Sequence, residues 1–396
     1  MNILFITEDH SIRNYGVTTV VSQLADEITV HNNGFRVIIA AMGMNSVQQN
    51  ENVPIELIHP AKAGAFWGWS PGLIQRLNKI ITSYQIDVIH IHGIWMAAQW
   101  SALIVAGSQK IPCIVSSYGM LEPWLWNRQS LMQKYKKKIY FNLVFKPAIT
   151  ENAIFHAITP TEKENLQRLL PTQKMTVIPN AIHLAKDNNE AFTPEKNFLF
   201  LGRLHPVKGI DLLIKAFSCA KLNSEWRLVI AGPEAVPQYV EKIKAEVSNL
   251  GLSDRVEFTG PVFGEKKQEL IRSSWAMAAP SYSEAMGMVN LEASVCKVPS
   301  ITTFETGLWD WEEGGGILIH PNVDELSDGL LKASRWSLEE RLDRGNRSYN
   351  LVANKYSWNI VVPQWEALYS SLTTDHDSGV HQLTGPVGAD RQVAKS

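Results

Sequence analysis

The sequence has few of the features that mark exported or membrane-spanning proteins. Its 396 residues include only three cysteines, Cys113, Cys219 and Cys296, which are far apart, odd in number and in no CxxC arrangement. This pattern argues against a disulfide framework or a zinc site and fits a reducing cytosol. The apolar run at the N terminus is too short for a signal peptide, and no later segment reaches about 18 apolar residues. We therefore expect a cytoplasmic protein.

A strong excess of charge of either sign is also missing. The formal net charge is -2 and charged residues make up 19% of the chain, so nothing marks the whole chain as a nucleic-acid binder. The hydrophobic content of 45% is that of an ordinary globular protein. A chain of 396 residues is too long for one compact core, and we expect two domains. Its partners should be small molecules or a local surface.

Several enzyme motifs are absent or accidental. No GxGxxG or Walker-type loop follows a predicted strand, which counts against dinucleotide oxidoreductases and P-loop NTPases. The segment GWSPG matches the GxSxG hydrolase pattern, but its Pro71 has no N–H to donate to an oxyanion. His90 and His92 share one face of a predicted strand but lack a third ligand, so a packed or cleft-facing structural role is favoured and no metal site is predicted.

Hydrophobic patterns predict alternating strands and helices in both halves of the chain. Strands are predicted at NILFIT, FRVIIAAMG, DVIHIHG, PCIVSSYG and FHAITPT, and then at NFLFLG, WRLVIAG, VEFTG, AMAAPS and PSIT. The intervening segments have helical periodicity. This alternation predicts an α/β protein with two Rossmann-like, doubly wound parallel-sheet domains that face each other across a cleft.

Composition also predicts the domain boundaries. The polar stretch from Leu184 to Asn197 interrupts the pattern, so the first domain is expected at residues 1–190 and the second at 191–356. Residues 357–372 are predicted to form a closing helix. The polar tail at residues 373–396 is predicted to be disordered.

One segment of the second domain, SEAMGMVNLEAS, carries two carboxylates, Glu284 and Glu292, around a glycine. If a helix begins near Gly287, the free N–H groups of Gly287, Met288 and Val289 would suit an anion such as a phosphate. The carboxylates would accept hydrogen bonds from sugar hydroxyls. The alternative is an ordinary capped turn between a strand and a helix.

A second segment, GRLHPVKG, places two cations after a predicted strand. Arg203 follows the strand end and Lys208 precedes the next helix, so both can converge on one site and neutralise a leaving diphosphate. The alternative is a pair of solvated surface cations. Together with the glutamate segment, these cations predict a nucleotide-sugar site.

Three features resemble the motifs of the retaining, family 4 type (group 1) glycosyltransferases of GT-B fold: GRLHPVKG, VIPNAI (residues 177–182) and the glutamate pair. The resemblance covers nearly the whole chain, to about Leu372. The resemblance implies that Arg203 and Lys208 bind the donor diphosphate, that Glu284 contacts the donor sugar and that Glu292 contacts the ribose. It implies metal-independent transfer from a nucleotide sugar, UDP- or GDP-linked, to a hydroxyl acceptor, with retained anomeric configuration and no other cofactor.

The resemblance further implies that the first domain binds the acceptor, that the second binds the donor and that the closing helix returns to the first domain. Three acceptor-side residues are predicted. Gly16 would represent a glycine-rich loop, although a helix start without a ligand is the alternative. Tyr118, in SSYGMLEPWLW, occupies a position that is histidine in a subgroup, and its hydroxyl can still bond a sugar. His92 is the third.

Two questions stay open in the sequence. The segment QKYKKKIYFNLVFK (residues 133–146) predicts either peripheral contact with an anionic membrane that carries a lipid-linked acceptor, or a solvated helix face. With Trp124 and Trp126 it could instead line the acceptor pocket. The rival functions are a nucleotide-sugar epimerase or phosphorylase on the same fold, and a catalytically degenerate sugar-binding homologue. The acceptor itself could be a polysaccharide, a lipid-linked intermediate or a metabolite.

Overall fold

A computed structural model describes the chain over seven ranges. These are residues 1–8, 16–32, 34–42, 52–58, 66–123, 131–184 and 193–380, with the side chains of Phe66, Leu131 and residues 374–380 excepted. The chain divides into two compact units. Unit 1 comprises Met1–Val115, Val144–Ala153 and Val362–Ser396, and unit 2 comprises Ser116–Leu143 and Ile154–Val361. The predicted boundary near residue 190 and both Trp124 and Trp126 lie outside the described residues.

The first sheet has seven strands in the order β3-β2-β1-β4-β5-β6-β7. The strands are β1 (Asn2–Thr7), β2 (Arg36–Ala41), β3 (Ile55–Leu57), β4 (Val88–His92), β5 (Cys113–Ser116), β6 (Ile154–Ala157) and β7 (Lys174–Val177). All five strands predicted for this half are present. The edge strands β3 and β7 were not predicted, because their short sequences IEL and KMTV are only half-buried and carry no apolar run.

Helices connect these strands as the periodicity predicts. They are α1 (Val17–His31), α2 (Leu73–Tyr84), α3 (Ala97–Gln109), α4 (Leu131–Tyr140) and α5 (Pro160–Leu169). A π-helical turn, Phe141–Phe145, continues α4, and a single helical turn, Lys146–Ala148, follows it. The strand pairs β1–β2, β1–β4, β2–β3 and β6–β7 are all parallel, as a doubly wound sheet requires.

The second sheet lies within unit 2 and has six parallel strands in the order β10-β9-β8-β11-β12-β13. They are β8 (Glu195–Leu201), β9 (Arg227–Ala231), β10 (Val256–Gly260), β11 (Ser274–Ala279), β12 (Ser300–Thr303) and β13 (Ile317–Ile319). Its helices are α6 (Ile210–Cys219), α7 (Pro237–Asn249), α8 (Gly264–Ser273), α9 (Met288–Val295), α10 (Val323–Ser334) and α11 (Leu338–Lys355). Both sheets thus have the predicted doubly wound architecture.

The strand order of the second sheet reverses between β8 and β11. From β8 the chain adds β9 and β10 on one side, and it then returns to add β11, β12 and β13 on the other. A crevice opens where two neighbouring strands send their connections to opposite faces, and open parallel sheets bind ligands there, beyond the carboxyl ends of the strands. The topology therefore points to the loops that follow Leu201 and Ala279.

The closing helix is present as α12 (Trp358–Val380), and from Val362 it belongs to unit 1. There the Tyr369 hydroxyl lies 2.7 Å from Nδ1 of His90. The helix passes its predicted end at Leu372, so the tail predicted from residue 373 is helical as far as Val380. Residues 381–396 lie outside the described part of the chain. Among the described helices, none combines the length and the apolar character needed to cross a membrane.

Candidate functional site

Tight backbone contacts between glycines lie at the carboxyl ends of the strands in the second sheet, near the point where the strand order reverses. The Gly202 N–H donates to the Ala231 carbonyl at 3.0 Å, and the Gly232 N–H donates to the Gly260 carbonyl at 2.8 Å. Gly232 has φ 147°, and a Cβ built on it would overlap the carbonyl oxygen of Gly202. Only glycine fits there. This packing fixes the path of the chain into Arg203.

The loop after β8 lies directly against the loop after β11. Lys208 ends the helical turn Pro206–Lys208, and Gly209 (φ 68°) caps the start of α6. A side chain at Gly209 would overlap the carbonyl oxygen of Pro280. The Tyr282 N–H donates to the Val207 carbonyl at 2.8 Å. These contacts bring Lys208 and the first predicted carboxylate together.

Lys208 and Glu284 form an ion pair between Nζ and Oε1, and their side chains are 18% and 17% exposed. The Ser281 hydroxyl donates to the same Glu284 oxygen at 2.8 Å. The Glu284 N–H donates to the Glu305 carbonyl at 3.0 Å, which holds its backbone in place. Charge interactions strengthen in such a partly buried setting because little water screens them. The structure thus joins two residues that the sequence predicted for one site.

His205 lies between the two predicted cations and was quoted in the motif without a role. Its Nδ1 accepts a hydrogen bond from the Val207 N–H at 3.1 Å, so that nitrogen carries no proton. Burial lowers the pKa of His205, and the positive charges of Arg203 and Lys208 lower it further. The neutral imidazole therefore carries its proton on Nε2. Arg203 is exposed, and like Lys208 it lies near enough to this ring for its charge to act on it.

The start of helix α9 corrects one expectation. The helix begins at Met288 after Gly287, as predicted. The Gly287 N–H, however, donates to the Thr306 carbonyl at 3.0 Å, and the Met288 N–H donates to the Met286 carbonyl at 2.9 Å. These two amides are not free for an anion, because the protein's own carbonyls already accept their hydrogen bonds. Of the three predicted amides, Val289 remains the candidate.

The second predicted carboxylate has a partner that the sequence did not reveal. Oε1 of Glu292, on α9, lies 2.7 Å from Nζ of Lys267, on α8, and both side chains are about 30% exposed. Within the described residues, the buried Oε2 of Glu292 has no hydrogen-bond donor. A buried oxygen without a donor is costly, so this atom is ready to accept a hydrogen bond from a ligand hydroxyl. Lys267 lies in EKKQEL, which has the pattern of any solvated helix.

A buried polar network attaches helix α9 to β12. The Ser300 hydroxyl donates to Oδ1 of Asn290 at 2.8 Å. Nδ2 of Asn290 donates to the Gly287 carbonyl at 3.2 Å and to the Thr302 hydroxyl at 3.0 Å. Fully satisfied networks of this kind rigidify a structure. The network sets the position of the helix start and therefore of Glu292.

Tyr118 lies in unit 2, beside the loop that carries Glu284. It has φ 50° and is half-buried against a cluster that includes Met286. A Cβ on the next residue, Gly119, would lie 2.7 Å from the Ala285 Cβ. The Tyr118 hydroxyl is hydrogen-bonded to Ser116, and burial raises its pKa. Tyr118 therefore stays protonated, which excludes it as a general base at neutral pH.

A buried carboxylate that the sequence did not single out holds this turn. Oε1 of Glu162 accepts from the Ser117 hydroxyl and the Gly119 N–H, both at 2.6 Å. Its Oε2 accepts from the Ile158 N–H at 2.8 Å. Glu162 thereby fixes the left-handed turn at Tyr118 against the donor-side loop.

The other two predicted acceptor residues lie in unit 1. Gly16 is exposed, has φ 106° and precedes α1, while residues 9–15 of the predicted loop lie outside the described residues. His92 is only 1% exposed, and its ring packs 4.6 Å from that of Phe5 and 3.9 Å from that of His90. A ligand has no access to such a ring. This burial argues against the acceptor contact predicted for His92 and fits the packed alternative.

Two protein families match this chain, and together they cover most of its length. Residues 183–350 match the family described as glycosyl transferases group 1, and residues 15–186 match glycosyltransferase family 4. An uncharacterized glycosyltransferase of Methanocaldococcus jannaschii is 24% identical over 393 residues, which is 93% of this chain and 98% of that protein.

Solved structures share the fold at low identity. The sucrose-phosphate synthase of Thermosynechococcus elongatus superposes with a TM-score of 0.77 at 18% identity, over 94% of this chain and 99% of that one. The Anabaena protein HepE, solved in complex with UDP and glucose, superposes with a TM-score of 0.71 at 16% identity, over 94% and 100% of the two chains. The chain belongs to the group 1 glycosyltransferases and has the GT-B fold of two Rossmann-like domains.

Proposed function

We propose that the protein transfers a sugar from a nucleoside diphosphate sugar to a hydroxyl group of an acceptor, with retention of the anomeric configuration. The observation that carries this proposal is the Lys208–Glu284 ion pair at the point where the second sheet reverses its strand order. A cation for a diphosphate and an acceptor oxygen for sugar hydroxyls stand side by side there. Ligands of open parallel sheets bind at this position.

The donor would be held by groups around the point where the second sheet reverses its strand order. Arg203 and Lys208 would neutralise the diphosphate, with Nε2–H of His205 and the Val289 N–H as further donors. Glu284 would accept hydrogen bonds from the sugar. The buried Oε2 of Glu292 would accept one from a ribose hydroxyl and would then no longer lack a donor.

The reaction needs charge stabilisation more than a protein base. The bond between the anomeric carbon and the diphosphate oxygen breaks, and the acceptor oxygen bonds to the same face of the sugar. The departing phosphate oxygen takes the proton of the acceptor hydroxyl, so the products are a glycoside and a nucleoside diphosphate. Arg203 and Lys208 stabilise the charge that develops on this leaving group. These two cations supply the positive charge, so the proposed reaction is metal-independent.

UDP- and GDP-sugars are the donors that we propose to test first. A nucleotide panel is the sharpest experiment: thermal unfolding is followed with UDP-, GDP-, ADP- and dTDP-sugars. A ligand at 100 times its Kd stabilises the fold by about 2.7 kcal/mol, which is a clear shift. The selected donor, labelled in the sugar, is then incubated with hydroxyl acceptors, and the anomeric configuration of the product is read by NMR. Inverted configuration would contradict the proposal.

One control separates the rival functions. A labelled UDP-sugar is incubated with the protein without an acceptor. An epimerase would convert the sugar, whereas a transferase would leave it intact or hydrolyse it slowly. Tight donor binding without transfer to any acceptor would instead favour a degenerate sugar-binding homologue. The ion-paired Glu284 and Glu292, together with Arg203, count against that alternative.

A further inference from the structure

Helix α4 and the π-helical turn after it expose an apolar stripe that faces away from the protein. Met132, Tyr135, Ile139 and Leu143 are 67%, 64%, 54% and 72% exposed. They recur at spacings of three and four residues, which places them on one face of the helix. Exposed apolar residues on a protein surface are usually scattered singly. Four large apolar side chains on one exposed helix face therefore mark an interaction surface.

The same element already has a separate buried face. Tyr140 and Phe141 are buried, while Tyr135, Ile139 and Leu143 remain in solvent. A surface helix of a globular protein needs only one apolar face to pack on its core. The exposed stripe is therefore a second apolar face that the fold does not use. Its members define what we call the α4 stripe: Met132, Tyr135, Ile139 and Leu143.

Positive charge surrounds the α4 stripe. No acidic residue occurs between Glu122 and Glu151, whereas that segment holds Arg128 and five lysines. At about 100° per residue, Lys136 and Lys138 fall on opposite flanks of the stripe, and both are exposed. The whole chain has a net charge of -2, so this cluster is a local feature.

We propose that the α4 stripe inserts into an anionic lipid surface while the flanking lysines contact lipid phosphates. An apolar face bordered by lysines is the pattern of helices that lie in the plane of a membrane interface. Pairing with a second copy of the chain would instead bring two lysine sets together without compensating acids. The inference goes beyond the proposed function and does not rest on it.

The test is flotation of the full-length protein with vesicles. Vesicles of phosphatidylcholine alone are compared with vesicles that also contain phosphatidylglycerol, at low and high salt. We expect binding to the anionic vesicles that weakens as salt rises, because surface charges are screened. This readout needs neither donor nor acceptor, so its outcome is independent of sugar transfer.

Two variants separate the charged and apolar contributions. Lys134→Gln, Lys136→Gln and Lys138→Gln together should weaken binding on the order of a hundredfold, at about fivefold per lysine. Tyr135→Ser, Ile139→Ser and Leu143→Ser together should weaken it roughly tenfold or more. All these positions are on the surface, so unfolding temperatures should be unchanged.

Matched controls test whether location matters. Lys110→Gln, Lys215→Gln and Lys242→Gln remove the same charge from other exposed positions, and Leu338→Ser with Leu342→Ser removes exposed apolar groups from α11. Both controls should bind as the unchanged protein does. Absence of binding to anionic vesicles at low salt would overturn the proposal. So would equal losses in the controls, or a change of oligomeric state in the serine variant, which would identify the stripe as an interface between copies.

Discussion

Lys208 and Glu284 form an ion pair across 76 residues of chain, between the loops that follow two adjacent strands. Each neutralises the other, which avoids a partly buried charge without a partner. A donor diphosphate would compete with Glu284 for Lys208, and the freed carboxylate could then accept hydrogen bonds from the sugar. In the proposed reaction, donor binding would therefore also free Glu284 to contact the sugar.

Arg203→Ala should reduce kcat/KM by about 100- to 1000-fold, which corresponds to a loss of about 2.7 to 4 kcal/mol of transition-state stabilisation. The guanidinium would stabilise charge that develops only as the diphosphate leaves. Steady-state kinetics with the donor selected above measures the effect. Lys215→Ala, which removes an exposed cation from α6, should leave the kinetics unchanged. Wild-type turnover by Arg203→Ala would remove the arginine from the mechanism.

Glu292→Gln should raise the KM for the donor roughly tenfold with little change in kcat. A contact to the ribose is made equally in the ground state and the transition state, so its loss weakens binding alone. Glu257→Gln, an exposed glutamate on β10, is the control. If kcat fell as far as kcat/KM, Glu292 would act on the reacting end of the donor and the ribose assignment would be wrong.

Gly232→Ala should destabilise the fold by several kcal/mol, because its Cβ would overlap the carbonyl oxygen of Gly202 in a backbone that cannot move freely. Gly251→Ala is the matched control. Gly251 also has a positive φ, of 66°, but a Cβ there meets nothing within 4 Å. It should cost only about 1 to 2 kcal/mol of conformational strain. Chemical denaturation of both variants measures the loss in free energy of unfolding. Equal losses would show that backbone strain, and not the overlap with Gly202, determines the cost.

Glu122 should make stability depend on pH near neutrality. Burial raises its pKa from 4.5 to about 7, with the nearby charge of Glu162 adding to the rise and the hydrogen bond from Asn165 opposing it. The folded state therefore holds the proton more tightly than the unfolded chain does. The resulting stabilisation is fully present below pH 4.5 and is lost as pH rises through about 7.

Denaturation of the wild type and of Glu122→Gln across this range isolates the contribution. As pH rises, the free energy of unfolding of the wild type should fall relative to that of Glu122→Gln. A difference that stays constant from pH 4.5 to pH 7 would show that Glu122 titrates normally.

Local sequence was sufficient to predict the strands whose long apolar runs are buried on both faces of the sheet. NILFIT and FLFLG could become little else, because the four adjacent apolar residues in each must leave water together. Strands β3 and β7 escaped prediction because they are short and half-buried, so their place at a sheet edge depends on neighbours that lie far along the chain. Strand β13 also escaped prediction although its residues ILI are buried, because three apolar residues are too short a run to indicate a strand. The motifs also predicted Arg203, Lys208, Glu284 and Glu292 as one site, and the structure pairs Lys208 with Glu284.

Only the tertiary structure could decide what these residues contact. The charge on Lys267 is visible in the sequence, but its pairing with Glu292 depends on how two helices pack. The amides of Gly287 and Met288 looked available because a helix start leaves its N–H groups unpaired, and only the folded loop at Thr306 shows an acceptor for one of them. The sequence left His92 with two interpretations, an acceptor contact and a packed side chain, and its burial fits the second. Residue type sets which interactions are possible, and the distances set by long-range packing decide which of them form.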